Sequence, residues 1–276
     1  MLYVVLPVHN RVTITQSVIE CIAKQTYENY KLILIDDGST DGTADMVLSH
    51  LPDTVVIRGE GNLWWGGALQ KGFEWLKRYA SESGFCLILN DDTIFEEDFF
   101  AIGISLLERT RKTLFCALCY SQQTNKLLDE GVNFNYKELT FNQANNKNIN
   151  CLSTRGLFLK YVDWQEIGGF HTIILPHYLS DYEFTIRAYK LGFNLKVNKD
   201  LKLSVNETTT GLHKINYTNI RDYYRKYFSK RNTMNPFYFT SFIILTVPSP
   251  YKKSHLVKIP VKLLKDIVKP IFMKNT

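Results

Sequence analysis

The sequence predicts an α/β fold of three layers: a mainly parallel central sheet, helices on both faces, and a basic helical tail at the C-terminal end. Three observations predict it. Short apolar runs recur at residues 2–8, 30–35, 54–58 and 85–89, each bounded by polar or turn-forming residues, the pattern of strands buried on both faces. Between them lie stretches with apolar residues at helical spacing. The connections are short, so strand and helix alternate as they do in parallel sheets.

The first strand, LYVVLPV at residues 2–8, ends at Pro7-Val8-His9-Asn10. Thr13 or Thr15 can cap the helix that follows, whose apolar stripe is Ile14, Val18, Ile19 and Ile22. The second strand, at 30–35, breaks into Asp36, Asp37, Gly38, Ser39, Thr40, Asp41, Gly42 and Thr43, with Asp41 or Thr43 available to cap a helix over 44–50. A third strand at 54–58 leads into a Gly- and Trp-rich loop at 59–67 and a helix over 68–79.

The run at 85–89 stops abruptly at Asn90, Asp91 and Asp92. In open α/β sheets ligands bind beyond the carboxyl ends of the strands, where these acids fall. Adjacent carboxylates repel unless something positive lies between or above them. A divalent cation carrying a phosphorylated ligand meets that need, since Mg²⁺ takes one or two carboxylates plus substrate phosphates. A plain polar loop with Thr93 capping the next helix is the alternative.

The second half is less regular. A helix is expected at 99–109, a strand at 114–120, and hairpins or an exposed insertion across the Asn-, Gln- and Lys-rich residues 121–150. A strand follows at 157–161 and a short helix at 162–167. Ser180 opens a further helix, with Ser180 and Glu183 spaced as a capping box and Gly192 as the stop. No internal repeat or linker-like run interrupts the body.

The 276 residues are 45% hydrophobic, ample for a real core. The five cysteines are odd in number and scattered; Cys116 and Cys119 form a lone CxxC without a second pair and read as core thiols, which points to a reduced, cytosolic setting. The first residues lack the basic segment of a signal peptide, and the longest later apolar run, 237–247, is about half a bilayer crossing. The net charge of +6 is unevenly placed: from Arg221 onward, twelve Lys and Arg face only Asp222 and Asp266. A basic tail on a mildly acidic body points to an anionic partner for the tail. Val261, Leu264 and Val268 with Lys262, Lys265 and Lys269 make a short amphipathic segment bracketed by Pro260 and Pro270. It suits an anionic membrane surface, or else packs back on the body; nucleic acid is not expected, because the basic residues lack stacking partners.

Taken in order, Pro7-Val-His-Asn10, Ile35-Asp-Asp-Gly-Ser-Thr-Asp-Gly-Thr43, Gly61-Asn-Leu-Trp-Trp-Gly-Gly-Ala68, Leu89-Asn-Asp-Asp-Thr93, Ile167-Gly-Gly-Phe170 and the stretch from Asp181 to Phe193 resemble the family 2 inverting glycosyltransferases of the GT-A fold, within them the bacterial rhamnosyltransferase-like type. The resemblance covers roughly residues 1–235 and implies a nucleotide-binding half at about 1–110, an acceptor-binding half at about 111–235, and a separate tail at 236–276. It implies a sugar donor linked to a nucleotide diphosphate (UDP or dTDP) and a saccharide or lipid-linked saccharide acceptor. Cell-surface polysaccharide synthesis in the cytoplasm, peripherally on the inner face of the plasma membrane, is the implied setting. Pro7, Val8, Asn10, Asp36, Asp37, Trp65, Gly66, Gly67 and Asp91 are then the donor-binding set, with free N–H groups at the helix start facing phosphate. One of Trp64 and Trp65 is expected to be buried and the other to line the site.

Asn90 stands where the family has the first acid of its DxD motif, leaving Asp92 as the metal ligand for Mg²⁺ or Mn²⁺, with His213 as a further ligand. Asp181 matches the general base, and its place in the first helical turn favours the ionised form. Glu183 is the second choice of base because Ser180 replaces the usual acid; Glu183 and Arg155 are assigned to the acceptor side. His171 replaces the acid of the usual Gly-Phe-Asp. A catalytically inactive sugar-nucleotide-binding protein is the competing reading. A nucleotidyltransferase fits less well, since Pro7-Val-His-Asn10 is no basic Gly-rich loop, and a phosphorelay receiver has no place for the second half or for Asp181.

Overall fold

The computed structural model describes residues 1–144, 147–207 and 218–272. Strands β1 (Leu2–Val8), β2 (Tyr30–Asp36), β3 (Val55–Arg58) and β4 (Phe85–Ile88) run parallel in the order β3-β2-β1-β4. Helices α1 (Val12–Ala23), α2 (Thr43–His50) and α3 (Trp64–Tyr79) connect them. Alternation along β1 divides the core. Leu2, Val4 and Leu6 pack with Val18, Ile19 and Ile22 of α1 and Val47 of α2. Tyr3 and Val5 pack on the other face with Leu69, Phe73 and Leu76 of α3. Both faces are covered, so every residue of β1 is buried and the strand reads as one apolar run.

Beyond β4 short antiparallel pairings join a sheet that is otherwise parallel, as expected. Short β5 (Thr93–Ile94) and α4 (Phe99–Glu108) precede β6 (Thr113–Ser121) and β7 (Leu127–Asp129), which pair antiparallel. Next comes a separate hairpin of β8 (Val132–Asn135) and β9 (Thr140–Gln143), within the stretch expected to hold hairpins. β10 (Leu157–Lys160) inserts antiparallel between β4 and β6. After α5 (Tyr161–Ile167) and α6 (Ser180–Lys190), β11 (Asn194–Val205) lies parallel to β6 and antiparallel to β5. The chain enters β10 from hairpins and an extended segment, not from a helical crossover, so nothing forces it parallel. An apolar run does not reveal its direction.

Several helix ends differ from expectation: α2 follows Gly42 rather than an Asp41 or Thr43 cap, and α3 starts at Trp64 rather than 68. Arg11, not Thr13 or Thr15, is the residue before α1, and the Val12 N–H is met from outside by Asp41 Oδ2 at 2.9 Å. The capping box on α6 does not form: Leu179 precedes the helix, Ser180 Oγ donates to the His177 carbonyl, and Glu183 turns toward Arg187. The tail is no short segment bracketed by prolines. After α7 (Ile220–Tyr227) and α8 (Pro236–Thr246), α9 (Ser249–Phe272) runs for 24 residues with Pro260 and Pro270 inside it. Among the described residues no helix is long and apolar enough to cross a membrane.

The tail is fixed to the body. Tyr223 and Tyr224 of α7 donate their hydroxyls to the carbonyls of Asp266 and Ile267 in α9. Phe242 and Ile243 of α8 close a third core with Phe134, Leu179 and Ile186, so α8 rests on α6.

Candidate active site

Asp91 and Asp92 follow β4 and are both buried. The positive charge their adjacency requires comes from the chain itself. Arg11 reaches across from the start of α1, with Nη1 2.9 Å from Asp91 Oδ1 and Nη2 3.5 Å from Asp92 Oδ2. Burial lifts the Asp91 carboxyl to about 7 in spite of Arg11, and the neighbouring Asp92 adds to the rise. Among the described residues Asp92 Oδ1 is buried without a hydrogen-bond partner. Among the described residues no group of three or more His, Cys, Asp and Glu is arranged to hold a metal. The set fits a divalent cation that brings phosphate oxygens with it: one orphaned carboxylate oxygen and a second carboxylate beside it. His213 lies outside the described residues.

Pro7 and Val8 end β1 as buried residues, and the Val8 carbonyl accepts the Asp37 N–H. Asn10, at φ 50°, accepts the Thr40 N–H on its side-chain oxygen and so ties the end of β1 to the loop after β2. In that loop Asp36 accepts from the Ser39 N–H and pairs with Arg58 at 3.3 Å. Both Asp37 oxygens are occupied: Oδ1 by the Gly61 N–H at 2.8 Å, Oδ2 by the N–H groups of Leu63 and Trp64 at 2.8 and 3.3 Å. Asp37 is therefore the organiser of the 59–64 loop.

The N–H groups expected to face phosphate at the start of α3 are also engaged. Gly66 donates to the Pro176 carbonyl at 2.9 Å and Gly67 to the Leu63 carbonyl. Gly66 is there for close approach: a Cβ on it would stand 2.8 Å from the Leu175 carbonyl oxygen. Trp64 and Trp65 are both half-buried, so the division into one buried and one lining ring is not seen. The Trp65 indole N–H donates to Thr154 Oγ1 at 3.1 Å. Trp64, at φ 59°, lies beside His177 and under the charged ends of Lys230 and Arg231.

Residues 151–156 join the two halves. Gly156, at φ 73°, donates to Ile88 at the end of β4 and accepts from Ala117 of β6. Arg155 donates to Cys119 Sγ at 3.5 Å, and its Nε is buried without a partner. Ser153 Oγ donates to Asp129. Leu152 exchanges both backbone groups with the Thr185 hydroxyl of α6, at 3.0 and 2.8 Å. This staple ties α6, which carries Asp181, to the same segment that bonds the end of β4. Packing around the half-buried Asp181 pushes its carboxyl up to about 6; burial outweighs the backbone hydrogen bonds of the first helical turn and the nearby Arg155. It remains ionised at neutral pH, close to the value that suits a base.

Glu183 is placed otherwise. It is buried in a fork from Arg187, at 3.0 Å from Nε and 2.9 Å from Nη2, and the same guanidinium donates to the carbonyls of Ile167 and Gly169. Held in this way it supports the 167–169 turn, which corrects its assignment as second base and acceptor contact. Cys116 and Cys119 are core thiols as expected, Cys116 donating to the carbonyls of Ser153 and Arg155. Sequence reasoning missed Arg11, one residue past the first motif, and also Asp129 and Thr185, which carry no local signal.

The sequence model described as "Glycosyl transferase family 2" matches residues 3–165, more than half of the chain. The chain belongs to glycosyl transferase family 2. The O-antigen chain rhamnosyltransferase WbaN of Salmonella anatum is 28% identical to this chain over 182 residues, which cover 62% of this chain and 56% of that protein. An uncharacterised glycosyltransferase of Haemophilus influenzae is 24% identical over 82% of this chain and 78% of its own length. The chain thus spans little more than half of the Salmonella relative. Among solved structures, the mannosyltransferase PcManGT of Pyrobaculum calidifontis, in complex with GDP-Man and Mn²⁺, superposes with a TM-score of 0.59 at 13% identity, over 96% of this chain and 71% of that one. Residues 1–349 of TarS from S. aureus, in complex with UDP-GlcNAc, give 0.58 at 16% identity, over 97% and 72%. The fold is that of the GT-A glycosyltransferases.

The contact between α3 and the segment leading to Asp181 makes a first test. In this chain Gly66→Ala should displace residues 175–180, because the two nearest atoms it meets, the Leu175 and Pro176 carbonyl oxygens, are backbone. A displacement of about 1 Å at a reacting group can lower turnover about a hundredfold. The expected result is a fall in kcat with the donor KM nearly unchanged, measured beside a melting curve that reports an intact fold.

Proposed function

We propose that the protein transfers a hexosyl group, rhamnosyl among the candidates, from a nucleotide-diphosphate sugar to a saccharide or lipid-linked saccharide, with inversion at the anomeric carbon. We place this reaction in the cytoplasm, as a step of cell-surface polysaccharide synthesis. The observation that carries the reading is Asp181, a carboxylate poised near 6 and stapled through Thr185 and Leu152 to the segment that also carries Arg155. Family membership and the rhamnosyltransferase relative support the chemistry, and the GDP-Man and UDP-GlcNAc complexes of the two structural neighbours support the donor class.

In this reading the donor's nucleotide lies against the loops that Asp36, Asp37 and Asn10 hold in shape, and its diphosphate lies over Asp91 and Asp92. A divalent cation held by Asp92, with Asp91 beside it, would offset charge on the diphosphate. The acceptor hydroxyl gives its proton to an Asp181 carboxylate oxygen as its own oxygen bonds to the anomeric carbon. The bond from that carbon to the diphosphate breaks on the opposite face, and the electron pair leaves with the nucleoside diphosphate. Arg155, with an open Nε, stands on the acceptor side of this line.

The test is a panel of UDP-, dTDP- and GDP-sugars with Mn²⁺ or excess chelator, read by thermal shift and by release of nucleoside diphosphate. A ligand at a hundred times its Kd stabilises by about 2.7 kcal/mol, easily seen in a melt. One donor should shift the melt and be turned over with Mn²⁺, and both effects should shrink in chelator. A shift without turnover in the presence of acceptor would favour the inactive, sugar-nucleotide-binding reading.

A further inference from the structure

We infer that the outward face of α9 is a docking surface for an anionic lipid bilayer. A helix packed on a protein normally turns its apolar residues inward and its polar ones outward. α9 meets the first half of that rule: Leu256 and Ile259 pack on the core around α8, and His255 bonds the Tyr136 carbonyl. It breaks the second half. Val257, Val261, Leu264 and Val268 recur at spacings of four, three and four residues, so they form one stripe, and they stand 75%, 55%, 63% and 40% exposed. The helix is therefore apolar on two sides, and only one is covered.

Charge identifies the cover. α9 holds six lysines against one acid, and that acid, Asp266, accepts the Tyr227 hydroxyl on the inner side. At 100° per residue Lys253 falls on one edge of the exposed stripe and Lys258 and Lys265 on the other, all three exposed. An apolar strip edged by lysines matches the boundary between acyl chains and anionic headgroups. A second copy of this chain matches poorly, since pairing two such helices would bring their lysines together. Because the inner side of α9 is bonded to α7 and packed on α8, which rests on α6, the surface keeps a fixed attitude to the helix bearing Asp181.

The experiment is co-sedimentation of the full chain with vesicles of phosphatidylcholine alone or mixed with phosphatidylglycerol. It uses the wild type, V261D/L264D and K258Q/K265Q, each first shown to melt like the wild type. The wild type should pellet with the mixed vesicles, less so in high salt, and remain in solution with the neutral ones. V261D/L264D should lose the interaction, and K258Q/K265Q should weaken it about thirtyfold, at about 1 kcal/mol per lysine. Equal pelleting with both kinds of vesicle, none with either, or wild-type behaviour of V261D/L264D would overturn the inference. So would a lipid-free dimer that V261D/L264D dissociates. No donor or acceptor enters the assay, so its outcome is separate from that of the sugar-transfer reading.

Discussion

Asp181→Asn is expected to lower kcat by about a hundred- to ten-thousandfold, the usual scale for losing a general base. Donor affinity should stay near wild type, because in the proposed reading the side chain serves the acceptor hydroxyl. In the wild type, activity should fall as pH drops through about 6, where the carboxylate takes up its proton. The same substitution should raise stability. The carboxyl is pushed up to about 6 in the folded chain from an ordinary 3.8, which at about 1.4 kcal/mol per tenfold in proton affinity sets an upper bound of about 3 kcal/mol. Partial exposure brings the figure to roughly 1–3 kcal/mol. The folded state carries this penalty in full above about pH 6, where the group is charged whether folded or not, and sheds it as pH falls toward 4. Asp181→Asn should therefore melt higher than wild type at pH 7 and level with it near pH 4. An acid kept only for its favourable place at a helix start would show the opposite at pH 7, so a melt at two pH values separates a catalytic group from a structural one. Normal transfer by Asp181→Asn would show that another group takes the proton.

Asp92→Asn is expected to abolish transfer nearly completely, by at least about a hundredfold, since charge on the departing diphosphate is worth several kcal/mol to a metal site. Asn keeps the shape but gives up the negative charge that, in the proposed reading, would make the buried Oδ1 a ligand. The separate readout is binding: the extra melting shift that Mn²⁺ adds to a donor should vanish in Asp92→Asn, while the melt without ligand changes little. Full activity of the wild type in excess chelator would remove the metal from the mechanism and leave the fold assignment untouched.

The strands and the acid pair were legible because their signals are local. β1 is apolar at every position because both of its faces are covered, and Asp91 and Asp92 end a strand where a parallel sheet presents its ligands. Two misreadings arose where a local rule met a competing partner. Ser180 and Glu183 have capping-box spacing, but Arg187, one turn further along α6, offers Glu183 a two-bonded fork that a backbone N–H cannot match. Pro260 was read as a boundary, yet α9 continues through it, its two ends tied to the body by the bonds of His255 and by those to Asp266 and Ile267. What could not be read at all was long-range. Arg11 meets Asp91 across eighty residues of chain, and Asp37 acts through backbone N–H groups 24 to 27 residues away.

Residues 151–156 bear on how lesions in this molecule should sort. One extended segment holds the end of β4, the middle of β6, the first turn of α3 and the second turn of α6. In the proposed reading, donor recognition and proton removal thus share a keystone instead of resting on separable modules. Changes at Thr154, Leu152 or Gly156 will not fall into one class that spoils donor binding and another that spoils turnover.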